Sequence, residues 1–139
     1  MINKKIEDIT IDDIKLLIDN GVVENKKLEY KKQLDINSDG EKKEFLADIS
    51  SFANTNDGDI IFGVEESSEE KVPVAMDGIE YKTEDELIRR IEDILRDSIK
   101  PRITNKEYKF LRLSEKMCIL IIRIYKSKQL PHRIEFKRS

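Results

Sequence analysis

The chain has 139 residues, 40% of them charged and 38% hydrophobic, with a net charge of −3 and one cysteine. That length suits a single domain with its own core, and the lone cysteine excludes an internal disulfide. Apolar residues fall in periodic segments, which excludes global disorder, and the longest apolar run, 117–122, is far too short to span a membrane.

In chain order, Thr10 to Asn20 reads as a short helix. Thr10 stands at its cap, Asp12 and Asp13 in its first turn, and Asn20-Gly21 at its stop. Lys27 to Leu34 reads as a strand with Leu28, Tyr30 and Leu34 on one face and Glu29, Lys31 and Gln33 on the other. Turn residues from Asp35 to Gly40 lead to a helix over Glu41 to Asn54, whose stripe is Phe45, Leu46, Ile49, Phe52 and Ala53. Asn56-Asp57-Gly58 turns the chain into Asp59 to Val64, an apolar run fit for a strand covered on both faces.

Glu65 to Lys71 reads as a charged loop. Thr83 with Glu86 opens the clearest helix, which runs to Ser98 before Lys100-Pro101. Two strands follow, Ile103 to Leu113 and Met117 to Tyr125, joined by a hairpin turn at 114–116, and a last strand begins at His132. The order predicts a mixed α/β (α+β) fold, a central mixed β-sheet flanked by helices. One domain is expected over 1–139, the N-terminal fragment of a longer protein. The cytoplasm is its expected location, because the start leads into acidic rather than apolar sequence.

Charge is unevenly spread. Residues 1–99 carry 14 Lys and Arg against 26 Asp and Glu, a balance of −12, whereas residues 100–139 carry 12 against 3, a balance of +9. Such asymmetry points either to a polyanion partner or to basic strands packed on acidic helices. The basic run Arg123, Lys126, Lys128, His132, Arg133, Lys137 and Arg138 can neutralise several phosphates, and Tyr125 and Phe136 can stack on bases. The alternative is a solvated edge guarded by lysines. Cys118 and His132 read as core filler and surface residue respectively.

Two constellations carry chemistry. Glu29 and Lys31 share a strand face, and Glu24 converges with them only from the preceding turn. Carboxylates can hold a divalent metal at a phosphoryl group, and a lysine can offset phosphate charge. The second constellation is Phe52 to Val64. There Asn54 and Thr55 can tie down loop backbone, Gly58 permits a left-handed turn, and Gly63 implies close approach of a backbone or ligand. Glu65 and Glu66 follow at the strand's C-terminal end, and one of them could join Glu24 and Glu29.

Glu24-x4-Glu29-Tyr30-Lys31, a helix ending Phe52-Ala53-Asn54-Thr55, a glycine turn and a strand ending Gly63-Val64-Glu65 together resemble the Schlafen AlbA-like domain. The resemblance runs from about Ile14 to Pro131. It implies a nucleic-acid-binding (DNA or RNA) domain of a bacterial or archaeal regulator or defence protein, with Lys31, Asn54, Arg123, Lys126, Lys128, Arg133 and Lys137 as candidate contacts. In Schlafen proteins three acidic residues form a metal-dependent ribonuclease site acting on structured RNA. The alternative reading is therefore an endoribonuclease, with Glu24, Glu29 and Glu65 as magnesium or manganese ligands and Lys31 on the phosphate. Two positions depart from the family pattern: glutamate replaces the usual aspartate after Val64, and Asp57 replaces the first glycine of the turn. A third reading is a protein-interaction module whose acidic helices dock a partner. A homodimer is left open, a membrane partner is not expected, and without a G-x-x-x-x-G-K-[ST] loop nothing points to ATP.

Overall fold

Alternation along two neighbouring strands sets the layers of this fold. The computed structural model describes residues 1–128 and 131–135. The strands are β1 (Leu28–Lys31), β2 (Gly58–Phe62), β3 (Glu65–Glu66), β4 (Pro73–Ala75), β5 (Ile79–Glu80), β6 (Ile99–Lys100), β7 (Lys106–Arg112), β8 (Met117–Ile124) and β9 (Arg133–Ile134). The helices are α1 (Ile11–Asp19), α2 (Asp39–Thr55) and α3 (Glu84–Ser98).

β8 is the hub. It lies antiparallel to β2, with Gly58 opposite Ile124 and Phe62 opposite Leu120, and beyond the end of β2 it pairs with β5. Its other edge carries β7 over seven residue pairs. β1 joins β2 in parallel, Leu28 beside Asp59 and Lys31 beside Phe62. Two short ladders, β3–β4 and β6–β9, flank this sheet. The result is the mixed sheet with helices that the order of elements predicts.

Side chains of alternate residues divide the core. Ile60, Phe62, Cys118, Leu120, Ile122 and Ile124 face α2 and α3. Ile61, Ile119 and Ile121 face the other way, onto Ile6, Ile9 and Ile14 of the N-terminal segment and α1. All five residues of β2 are buried, as expected for a strand covered on both faces. Cys118 is fully buried, and burial pushes its thiol up to about 12, which suits a core filler.

Local chemistry accounts for the boundaries. Thr10 and Asp13 form a capping box on α1. Ser38 and Glu41 do the same for α2, so that helix begins at Asp39 rather than at Glu41. Thr83 accepts from the Glu86 N–H at 3.1 Å and opens α3. β1 has four residues rather than eight: β2 ends at Phe62, and the Lys31 carbonyl accepts from both the Gly63 and Val64 N–H groups as the chain departs. Glu65 to Lys71 is not wholly loop, since its first two residues pair with β4.

The glycines divide the same way. Gly63 (φ +101) meets the backbone of Gly78 so closely that a Cβ would lie 2.7 Å from the Gly78 Cα, as a glycine inside an apolar run implies. Gly58 is no left-handed turn. It starts β2, and a Cβ there would strike the Phe52 ring at 2.2 Å.

Candidate functional site

The direction of β2 decides where chemistry collects. At its C-terminal end, β1 turns Glu29 and Lys31 towards α2, because Leu28 and Tyr30 take the opposite, buried face. Lys31 Nζ lies 3.3 Å from Asp48, 3.5 Å from Glu29 and 3.5 Å from Glu44. Burial works against the ammonium charge, but Asp48 and Glu29 outweigh it and raise the Lys31 pKa. Burial, and then repulsion from Asp48, raises Glu29. Burial likewise raises Asp48, against the pull of Lys31.

Glu24 approaches from the turn before β1, and its Oε2 accepts from the Tyr30 N–H at 3.4 Å. The Tyr30 hydroxyl donates to the Val22 carbonyl at 2.7 Å and fixes that turn. The neighbour of Glu24 is Glu66. Burial first, and then contact with the Glu66 carboxyl, pushes Glu24 up to about 7. Among the described residues Glu66 Oε2 is buried without a hydrogen-bond partner.

Glu65 takes a different course from the one expected of it. Its carboxylate pairs with Lys32 at 3.4 Å, because neighbouring residues of a strand point to opposite sides and Glu66 takes the side facing Glu24. Among the described residues no three His, Cys, Asp or Glu side chains are grouped to hold a metal ion. Of the three acids expected to act together, Glu29 pairs with Lys31 and Glu65 with Lys32, while Glu24 lies beside Glu66.

At the opposite end, β8 leaves the sheet beside the start of β2. The Lys126 N–H donates to Asp57 Oδ1 at 2.6 Å, so this aspartate clamps the exit. Lys126 and Lys128 are exposed. Arg133 on β9 lies directly opposite Lys100 on β6, a like-charged pair that an isolated ladder disfavours. Arg133 contacts Glu135 at 2.9 Å but keeps 77% of its side chain exposed. Arg102, exposed after Pro101, extends the same surface.

Two of the expected nucleic-acid contacts, Arg123 and Asn54, make internal bonds. Arg123 is 2% exposed. It makes two bonds to Asp59, at 2.7 and 3.0 Å, and donates to the Ile2 and Lys4 carbonyls at 2.8 and 2.5 Å. It is an internal clamp on the N-terminal segment, not a surface cation, because its place in β8 points it away from α2 and under that segment. The Asn54 amide brackets His132, donating to its carbonyl at 3.0 Å and accepting from its N–H at 2.7 Å. That fulfils the expectation that Asn54 ties down loop backbone. His132 is 5% exposed rather than a surface residue. Lys137, with Phe136 and Arg138, lies outside the described residues.

Asp48, Glu44, Lys100 and Arg102 were not singled out by the sequence reading. Asp48 had a signal: it follows Phe45 by three residues and precedes Phe52 by four, which puts a carboxylate on the core-facing stripe of α2. Asp59 and Arg123 are likewise the charged members of otherwise apolar strands, and they sit opposite each other.

A mixed sheet covered by two helices on one face, with a strand–helix–strand unit carrying acids at one end, defines a mixed α/β domain. Among solved structures, the solution NMR structure of the N-terminal domain of a RecG-related protein from Nitrosomonas europaea is similar at 15% identity. The likeness covers 88% of this chain and 80% of that one with a TM-score of 0.60, and at this identity it is one of fold. No curated protein matches the sequence. The family described as "Schlafen, AlbA_2" matches residues 24–139, and the chain belongs to it. No helix among the described residues is long and apolar enough to cross a membrane.

Proposed function

We propose that this domain binds nucleic acid through the basic end of its sheet. The observation that carries the reading is the exposed set Lys100, Arg102, Lys126, Lys128 and Arg133, gathered on β6, β9 and the exit of β8. Membership of a family with an AlbA-like domain supports it, as does the resemblance to the domain of a protein named for its relation to the helicase RecG. Phosphates would supply counter-charge to these exposed cations, so binding falls as salt rises. Fluorescence anisotropy of the full chain against RNA and DNA oligonucleotides tests this. Lys126→Glu with Lys128→Glu should weaken binding at least about tenfold at low salt and flatten the salt slope by about two. Salt-independent binding, or an unaffected double variant, overturns the reading.

A second reading, phosphodiester cleavage at the acidic end, is favoured by one observation. Glu24, pushed up to about 7, is poised to carry a proton near neutral pH, beside Glu66 and Glu29. It is tested by incubating structured RNA with the chain, with and without magnesium or manganese. Cleavage lost in Glu24→Gln and Glu29→Ala supports it, and no cleavage by the parent under any condition removes it.

A further inference from the structure

β7 and β8 lie side by side and are covered differently. Every residue of β8 after Met117 is buried, whereas β7 buries Leu111 alone and leaves Glu107 and Arg112 exposed. β7 is an edge of the sheet, seven residues long and in unbroken register with β8 from Lys106 to Arg112. The Asn105 carbonyl accepts from the Tyr125 N–H, and the Leu113 N–H donates to the Met117 carbonyl, so the odd-numbered residues turn their backbone groups to β8. Lys106, Tyr108, Phe110 and Arg112 turn theirs outward, and among the described residues these groups have no backbone partner. An edge of this length is normally blunted by a proline, a bulge or a central lysine. β7 has no proline and no bulge, and its lysine, Lys109, is drawn along one face to the Glu7 carbonyl at 3.0 Å.

We propose that β7 pairs with β7 of a second copy of this chain, antiparallel about a twofold axis through Tyr108, so that two sheets become one. In such a pair the outward backbone groups of one strand meet those of the other, with Tyr108 opposite Tyr108 and Lys106 opposite Phe110. Charge selects both the register and the partner. The axis through Tyr108 sets Glu107 of each copy opposite Lys109 of the other, two opposite-charge pairs on one face. Moving the axis by one residue sets Lys109 against Lys109 or Glu107 against Glu107, like charges that a ladder disfavours. The strand is thus complementary to itself, as a twofold contact requires. Both side chains are already held in place, Glu107 by the Tyr125 hydroxyl at 2.6 Å and Lys109 by the Glu7 carbonyl. An ammonium has three donors and a carboxylate two oxygens, so each keeps capacity for the new pair. On the face towards α3, the half-buried Tyr108 and Phe110 rings gain cover from the second strand.

Sedimentation equilibrium of the full chain tests this from about 10 µM to about 1 mM, since a contact through one strand lies at the small, weak end of interfaces. The samples contain no nucleic acid, so the outcome is independent of the binding reading above. The parent should pass from monomer to dimer within that range. Lys109→Glu or Glu107→Lys makes both pairs across the axis repulsive and should raise the dissociation constant at least about tenfold. An equal mixture of the two variants restores both pairs and should associate as the parent does, which fixes the register. Amide hydrogen exchange reads the same contact without any variant. On concentrating the parent, the Tyr108 and Phe110 N–H groups should exchange about threefold more slowly or less still, while the Lys109 N–H, which faces β8, keeps its rate. A parent that stays monomeric throughout the range overturns the inference. So does a dimer that survives both single variants, or one that leaves the Tyr108 amide unprotected, because the contact then lies elsewhere on the chain.

Discussion

The two ends of β2 treat charge in opposite ways. At its C-terminal end cations meet acids: Lys31 lies among three carboxylates and Lys32 pairs with Glu65. Acids outnumber bases there, and burial raises Glu24, Glu29 and Asp48. At its N-terminal end, roughly 15 Å away along the strand, exposed cations gather and two of them face each other across a ladder. A phosphate chain is repelled by the first end and attracted by the second. A protein whose basic strands merely neutralised acidic helices would not leave that contrast. Such internal pairing occurs elsewhere, at Lys106–Glu92 and Arg123–Asp59.

The contrast can be broken in order of expected effect. Arg123→Met leaves Asp59 buried and unpaired and frees the N-terminal segment, so urea denaturation should show a loss of about 3–5 kcal/mol. By comparison, Lys126→Glu with Lys128→Glu should weaken nucleic-acid binding about tenfold with no such loss of stability. These two results separate the structural cation from the binding ones. At the acidic end, Glu24 keeps its proton in the folded chain up to about 7, while an unfolded carboxyl near 4.5 has already lost it. The folded state therefore binds more protons between those values, and its stability falls as pH rises through that window. Glu24→Gln removes this fall and should stabilise the chain above pH 7 by up to about 1 kcal/mol, because the group is half-exposed and screened. Asp57→Gly loses the bond to the Lys126 N–H and should cost about 1 kcal/mol in thermal unfolding. Glu65→Ala, which removes an exposed pair with Lys32, should change stability by less than about 0.5 kcal/mol.

Layers, helix caps and the tight approach at Gly63 were legible in the sequence because each follows from local spacing. Phe45, Ile49 and Phe52 recur at the helical period, and Thr10 and Thr83 stand where caps belong. The acidic side chains were legible as a group but not in their partners. A strand's alternation says that Glu65 and Glu66 face opposite ways, but only the β3–β4 ladder decides which of them meets Glu24. The basic run was legible by count and not by burial. Arg123 and Lys126 stand three residues apart, and only the pairing of β8 with β2 sends one beneath the N-terminal segment and the other to the surface. His132 was read as exposed because its anchors, Asn54 and Pro101, are distant in sequence.

The central claim is that nucleic acid engages the basic end and leaves the acidic end free. Titrating an RNA oligonucleotide into the ¹⁵N-labelled chain and mapping the shifted backbone amides tests it most directly. The account predicts shifts concentrated at Lys100, Arg102, Lys126, Lys128 and Arg133, with Glu24, Glu29, Lys31 and Glu66 unmoved. Shifts centred on Glu24, Lys31 and Glu66, with the basic end silent, would contradict it.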